Sequence, residues 1–286
     1  MILLATFLTF LLVKQLPTPF EGNRKLSPAV RDNLQRQFGY KDPWYEQYGS
    51  YVGRFVSGDL GVSTKPGNAR VGEVIRDTLP ASAMLGMLTF VLAFTLGIVT
   101  GVVSAVWVNR WPDVSIMVTT TFIFALPTFL TLRYAVEYLP YWTIGWETPK
   151  SMVAPVVLFA LAIMPFFTRV VRAAMLESLQ SEYVVMARSK GLPWRQTVVR
   201  HVVRNSMIPT VVNAAPILGG LITGSFIIEQ ICLIPGVANQ FIKAFTEPID
   251  LNMIMATTIL ASVLIILANL ASDVLVAWLD PRITND

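Results

Sequence analysis

The island Glu182 to Pro209, EYVVMARSKGLPWRQTVVRHVVRNSMIP, sets Arg188, Lys190, Arg195, Arg200 and Arg204 between two long apolar runs. A basic helical stretch of this length in an otherwise apolar chain is a docking surface for a soluble partner. Its chemistry is recognition, by charge and shape. The first half is expected to form a helix ending at Gly191: glycine takes the left-handed position just past a helix end, and Arg188 and Lys190 suit the negative end of the dipole. Pro193 cannot continue that helix but can open a second short one. There Val198, Val199, Val202 and Val203 are expected to form an apolar stripe, with Gln196, Arg200 and Arg204 on another face.

Reactive constellations are missing elsewhere. The sequence has no GxxxxGK[ST] phosphate loop, since the glycines from Gly58 to Gly67 lack the Lys-Ser/Thr ending, and no HExxH, His201 being the only histidine. No carboxylate pair or nucleophile and base stand at a catalytic spacing, so neither ATP hydrolysis nor other catalysis is expected of this chain. His201 reads as a surface or interface residue, and the single Cys232 as a small apolar filler that excludes an intrachain disulfide. Arg133 and Glu137 stand at i and i+4 in an apolar region. They read as a local ion pair snorkelling to the interface, or as part of a pathway.

Membrane helices must position these groups. With 54% hydrophobic and 14% charged residues and a mean hydropathy of +0.58 over 286 residues, the chain reads as an all-α integral membrane protein. Five segments meet or approach the roughly 20 apolar residues that a span needs: Ala81 to Val108, Val114 to Leu132, Ser151 to Thr168, Ser206 to Ile228 and Met253 to Ser272. Pro80 reads as the start of the first of these. A sixth, Met1 to Val13, is short; it borrows from Gln15 to Phe20 or lacks residues upstream, with a cleavable signal as the competing reading. Gly97 to Gly101 and Gly220 to Gly224 have the GxxxG spacing that lets helices approach closely, either within the chain or in a dimer. Pro127, Pro155, Pro165 and Pro216 are expected to mark kinks or local unwinding, and Tyr138, Tyr141, Trp142 and Trp146 an interfacial belt.

Charge orients the spans. Arg110, Arg169, Arg172, Arg188, Lys190, Arg195, Arg200, Arg204 and Arg282 fall on one side in short loops and the tail, against Lys150 and Lys243 on the other, which puts the island in the cytoplasm. The stretch from Lys14 to Thr78 is too long for that rule to bind it. It is expected to be an external folded cap, with prolines, the aromatics Trp44, Tyr45, Tyr48 and Tyr51, and amphipathic spacing at Val30, Leu34 and Phe38.

Ala187-Arg188-Ser189-Lys190-Gly191-Leu192, with Arg200-His201, Arg204-Asn205 and Ile208-Pro209 after it, resembles the coupling loop of binding-protein-dependent ABC importer permeases. It is most similar to the first permease subunit of the oligopeptide and dipeptide branch. Further matching stretches are Thr78 to Ser82, Ala125 to Phe129, Thr223-Gly224-Ser225 with Glu229, Leu233 to Gly236, and Asp273 with Leu279 to Arg282. External matches are Pro19 to Gly22, Leu26 to Pro28, Asp42-Pro43 and Gly58 to Gly61. The family's Glu-Ala-Ala triplet is Val185-Met186-Ala187 here, and its basic N-terminal stretch is missing.

The resemblance implies a six-span permease bundle in a bacterial inner or plasma membrane, with residues 1–16 as a first span, 17–78 as an external loop subdomain and 79–286 as the transmembrane domain. Its coupling segment would be 177–205, with Glu182, Tyr183, Ala187, Arg188, Lys190 and Gly191 meeting the ATPases. The implied partners are a second homologous permease, two cytoplasmic ATPases, an external substrate-binding protein, a peptide substrate and lipid, but no nucleic acid. The chain itself would bind no cofactor; ATP and Mg would sit on the ATPases. Nickel chelates, glutathione and antimicrobial peptides are alternative cargoes of the same machine. A secondary transporter using Arg133, Glu137, Glu229 and Asp273 is the alternative of another class, disfavoured because these charges cluster toward helix ends.

Overall fold

The computed structural model describes residues 2–15, 27–37, 41–65, 67–139, 144–246 and 248–279. The expectations resting on Pro17 to Leu26, Phe38, Tyr141, Trp142, Asp280 to Arg282 and the Leu34 side chain lie outside what it describes. Regular structure among the described residues is helical, apart from an isolated bridge between Val62 and Arg70. In chain order the helices are α1 (Ile2–Lys14), α2 (Pro28–Gln37), α3 (Trp44–Val56), α4 (Val71–Val106), α5 (Trp111–Ala125), α6 (Thr128–Tyr138) and α7 (Pro149–Leu179). They continue as α8 (Glu182–Ser189), α9 (Trp194–Thr197), a π-helical turn (Val198–Val202), α10 (Val203–Ile222), α11 (Phe226–Ile231), α12 (Val237–Ala244) and α13 (Leu251–Leu279).

Four described helical stretches are long and apolar enough to cross a membrane: Val71–Val106, Pro149–Leu179, Trp194–Ile231 and Leu251–Val274. A fifth span arises if α5 and α6, bent by 83° at their junction, are taken together. The break has a local cause. Leu126 precedes Pro127, whose ring pushes the preceding residue out of the helical region, and Leu126 is extended at ψ 122°. The expected kink at Pro127 is thus a full interruption, whereas α7 runs through Pro155 and Pro165, and α10 through Pro216. Pro80 is likewise interior to α4 and does not start it. The turns before it are held by packing of Val71 and Ile75 against Ile249, Met253 and Ile254, which outweighs the missing proline N–H. At 13 residues, α1 stays shorter than a span.

The chain divides into two compact units. The first takes the residues up to Ala83 with Thr223–Gln230 and Ile234–Leu264. In it α3 packs on α1: the Tyr48 hydroxyl lies 2.9 Å from the Leu3 carbonyl, to which it donates, and 3.0 Å from Thr6 Oγ1. Tyr51 is buried with Phe10, Met255 and Ile259, and burial holds its phenol above the usual tyrosine range. Of the four aromatics noted in the sequence, Trp44 and Tyr45 stay exposed. The turn around Ser63 is stitched to the start of α13. Asp250, fully buried, accepts from Ser63 Oγ and from Met253 N at 3.1 Å, capping that helix. Thr64 donates to the Ile249 carbonyl, Lys65 to that of Thr246, and Asn252 back to that of Val62. Burial lowers the Lys65 ammonium from its ordinary value, opposed by the Asp250 carboxylate.

The second unit takes Met84–Ile222, Ile231–Leu233 and the remainder from Ile265. Gly97 and Gly101 of α4 face α7, where an added Cβ would lie 2.4 Å from Phe167 Cβ and 2.7 Å from Val171 Cβ. This is the close helix contact expected from their spacing, and a hydrogen bond of 2.8 Å between Thr100 and Thr168 crosses it. The Gly220–Gly224 spacing makes no such contact. Nothing lies within 4 Å of a Cβ at Gly220, and Gly224, at φ +92°, stands beyond the end of α10. The close approach lies instead at Gly86, against the backbone of Leu221 and Ile222.

Candidate functional site

The island's first half forms α8, and its end is built as its residues require. Lys190 caps the helix and Gly191 follows at φ +80°; Gly191 N donates to Arg188 O at 2.9 Å and Leu192 N to Ala187 O at 3.3 Å. These paired bonds satisfy carbonyls that the helix end would leave open. No atom lies within 4 Å of a Cβ placed on Gly191, so its requirement is conformational rather than steric.

α8 has two faces. Val184 is buried in a core with Ala105 of α4, Val171 and Met175 of α7, and Val198 and Val202, while Tyr183 packs half-buried at its edge. The opposite face shows Glu182, Val185, Met186, Arg188 and Ser189 to the outside, with Val185 62% and Met186 59% exposed. Arg188 lies over the Trp194 ring at 5.3 Å, tying that face to the start of α9. Among the residues singled out in the sequence, Glu182, Arg188, Lys190 and Gly191 are therefore exposed together, and Ala187 is buried at 8%. Ala187 supports the surface from beneath. Val185, Met186 and Trp194 belong to it, and sequence reasoning missed them because an apolar residue in an apolar chain carries no signal of exposure.

The second short helix expected after Pro193 is not separate. α9 passes through the π-helical turn directly into α10, and its extra residue per turn brings Val198 and Val202 inward while leaving Val199 exposed and Val203 half-buried. Gln196, Arg200 and Arg204 are exposed as expected.

Arg133 and Glu137 both lie exposed on α6, and no ion pair joins them among the described residues. Glu229 is fully buried and fully engaged: Oε1 accepts from Ser82 Oγ at 2.7 Å and Oε2 from Asn239 N at 2.9 Å. Ser82 Oγ in turn accepts from Val237 N at 2.8 Å. The carboxylate fits between Gly224 and Gly236, where an added Cβ would come within 2.1 Å and 2.3 Å of its oxygens. This is an anchor for the α11–α12 segment rather than a proton path. Asp273 is exposed on α13, and Cys232 is buried as the filler reading expects. No group of three or more histidine, cysteine or acidic residues able to hold a metal occurs among the described residues.

α8 is thus a short capped helix, exposed on one face, between two helical stretches long and apolar enough to cross a membrane. Residues 97–285 match the family of binding-protein-dependent transport system inner membrane components. The chain belongs to that family. It is thus a multi-pass, non-catalytic membrane permease subunit, helical in the regular structure of its described residues. It is 35% identical to the dipeptide transport system permease protein DppB of Lactococcus lactis subsp. cremoris, over 96% of this chain and 92% of that one. It is 32% identical to the oligopeptide transport system permease protein OppB of Escherichia coli K12, over 96% and 92% respectively. Among solved structures, an inward-facing MetNI methionine ABC transporter matches 72% of this chain and 96% of its own with a TM-score of 0.63, at 16% identity, a likeness of fold.

Proposed function

We propose that this permease subunit forms, with a second homologous permease, the pathway of an ATP-driven importer of dipeptides or oligopeptides. Two cytoplasmic ATPases would push on the exposed face of α8, and an external binding protein would deliver the peptide. The observation that carries this reading is the similarity to DppB and OppB permeases over nearly the whole chain, joined to a capped α8 with Val185, Met186 and Arg188 outward. ATP and Mg would be held by the ATPases. The lysine and arginine distribution supports a cytoplasmic α8 and an external 17–78 cap in the inner membrane. The alternative of an ion-coupled transporter loses Glu229, which is committed to Ser82 and Asn239.

Orientation is checked with single cysteines at Ser57 and Ser189, both exposed. An impermeant thiol reagent added to intact cells is expected to label the first and spare the second. Labelling of Ser189→Cys from outside would reverse the topology.

The coupling surface is tested by Met186→Asp, which places a charge on the outer face of α8 and leaves its core untouched. Exposed substitutions of this kind usually shift stability by less than about 0.5 kcal/mol, so the permease pair should assemble with an unchanged thermal midpoint while ATPase co-purification and peptide uptake fall at least about tenfold, a loss of roughly 1.4 kcal/mol in association. Full ATPase retention and uptake would place the coupling elsewhere. Ala187→Asp is no substitute, since it buries an unpaired charge.

A further inference from the structure

Asp113 lies in the first turn of α5, only 3% exposed, and four donors converge on its carboxylate. Arg172 of α7 reaches it with both arms of its guanidinium, Nε to Oδ1 at 2.9 Å and Nη2 to Oδ2 at 2.8 Å. Ser104 near the end of α4 donates to Oδ1, and the backbone N–H of Asn109 donates to Oδ2 at 2.8 Å. Asn109 holds φ +60°, so the α4–α5 turn is wound tightly around this carboxylate. A buried ion pair is retained at a cost unless every lone pair and proton is matched, and here the matching is complete at the carboxylate.

The elements joined by this cluster also form the bed of α8. Ala105 follows Ser104, and Val171 precedes Arg172; both lie in the core that holds Val184 of α8, together with Met175, Val198 and Val202. The apolar contacts of this core are individually weak and non-directional. A bidentate guanidinium–carboxylate fork has one geometry and does not slide.

We propose that Asp113 and Arg172 are positioning residues for energy transfer: their ion pair makes the α4–α5 turn, α7 and the bed of α8 move as one body, so that displacement of α8 reaches the spans. This rests on the reading of α8 as the ATPase contact. Neither residue touches the ATPase in this account, nor the transported peptide. Their role is read in the ratio of transport to hydrolysis, which a purely structural contribution does not change.

The experiment uses the complete transporter in proteoliposomes, with its binding protein and a labelled peptide, and measures uptake and ATP hydrolysis on the same sample for wild type, Asp113→Asn and Arg172→Lys. Arg172→Lys keeps the charge and loses the fork. Both variants are expected to keep ATPase bound and hydrolysing within about twofold of wild type while peptide moved per ATP falls about fivefold or more. Should Asp113→Asn fail to assemble, Arg172→Lys, which keeps both charges and removes only the fork, decides the test with the same expected fall. Uptake and hydrolysis falling together in proportion to folded complex would overturn the proposal, as would an unchanged ratio. A wild-type complex without ATP-dependent peptide uptake would instead sink the functional reading on which it rests.

Discussion

Gly236→Ala is expected to be among the most damaging single substitutions in this protein, although it adds one methyl group. That methyl would stand 2.3 Å from Glu229 Oε2, 2.4 Å from its Cδ and 2.4 Å from Ser82 Oγ. The backbone is not the obstacle, since φ at Gly236 is −101° and any residue can adopt it. The obstacle is that neither neighbour can yield: Glu229 is held by Ser82 Oγ and Asn239 N, and Ser82 Oγ is bound to Val237 N. Overpacking costs about 1–3 kcal/mol, and a buried carboxylate that loses a donor adds a penalty of similar size. A total of about 3 kcal/mol corresponds to a fall of roughly 6–12 °C in thermal midpoint. The detergent-solubilised protein would be compared with Gly72→Ala, where nothing lies within 4 Å and the helix gains slightly from alanine. A cycle with Glu229→Ala isolates the cause. Gly236→Ala should cost much less once the carboxylate is gone; an equal cost in both backgrounds would refute the steric account.

The features that were legible in the sequence are those whose cause is local. Gly191 at positive φ followed from a cationic helix end and a proline two residues on, whereas Pro127 was read as a kink or local unwinding alike with Pro155, Pro165 and Pro216, of which it alone interrupts a helix. At Gly97 and Gly101 the spacing of close helix contacts is met within this chain, one turn apart against Phe167 and Val171 of the same facing helix. Other features are set at a distance. Asp113 meets Arg172 59 residues away, Ser82 meets Glu229 147 away and Ser63 meets Asp250 187 away, and no spacing rule spans such intervals. Ala187 is buried on the same side as Val184, one turn away, and that side is chosen by the packing of Val184 with Ala105, Val171 and Met175 of distant helices, which hydropathy does not reveal. Pro80 was misread for a related reason: its position signals a helix start only when no tertiary packing holds the preceding turns.

Gly86→Ala carries the other large expected effect, and it separates a reading of glycine spacing from a reading of contacts. A Cβ on Gly86 would lie 2.2 Å from the Leu221 carbonyl oxygen, 2.5 Å from its carbon and 2.9 Å from Ile222 N. All three are backbone atoms, so no rotamer change relieves the overlap. α4 and α10 must part along this contact, and helices in a membrane associate through close packing rather than through a hydrophobic drive that would re-form elsewhere. We expect Gly86→Ala to lower the yield of folded protein severalfold and to open α10 to proteolysis in detergent. Gly220→Ala provides the contrast. The GxxxG spacing marks Gly220 as the sensitive glycine, yet a Cβ there meets nothing within 4 Å, and alanine should gain up to about 1 kcal/mol of helix preference over glycine. If Gly220→Ala proved the more damaging of the two, the contact at Gly86 would not be what holds α4 against α10.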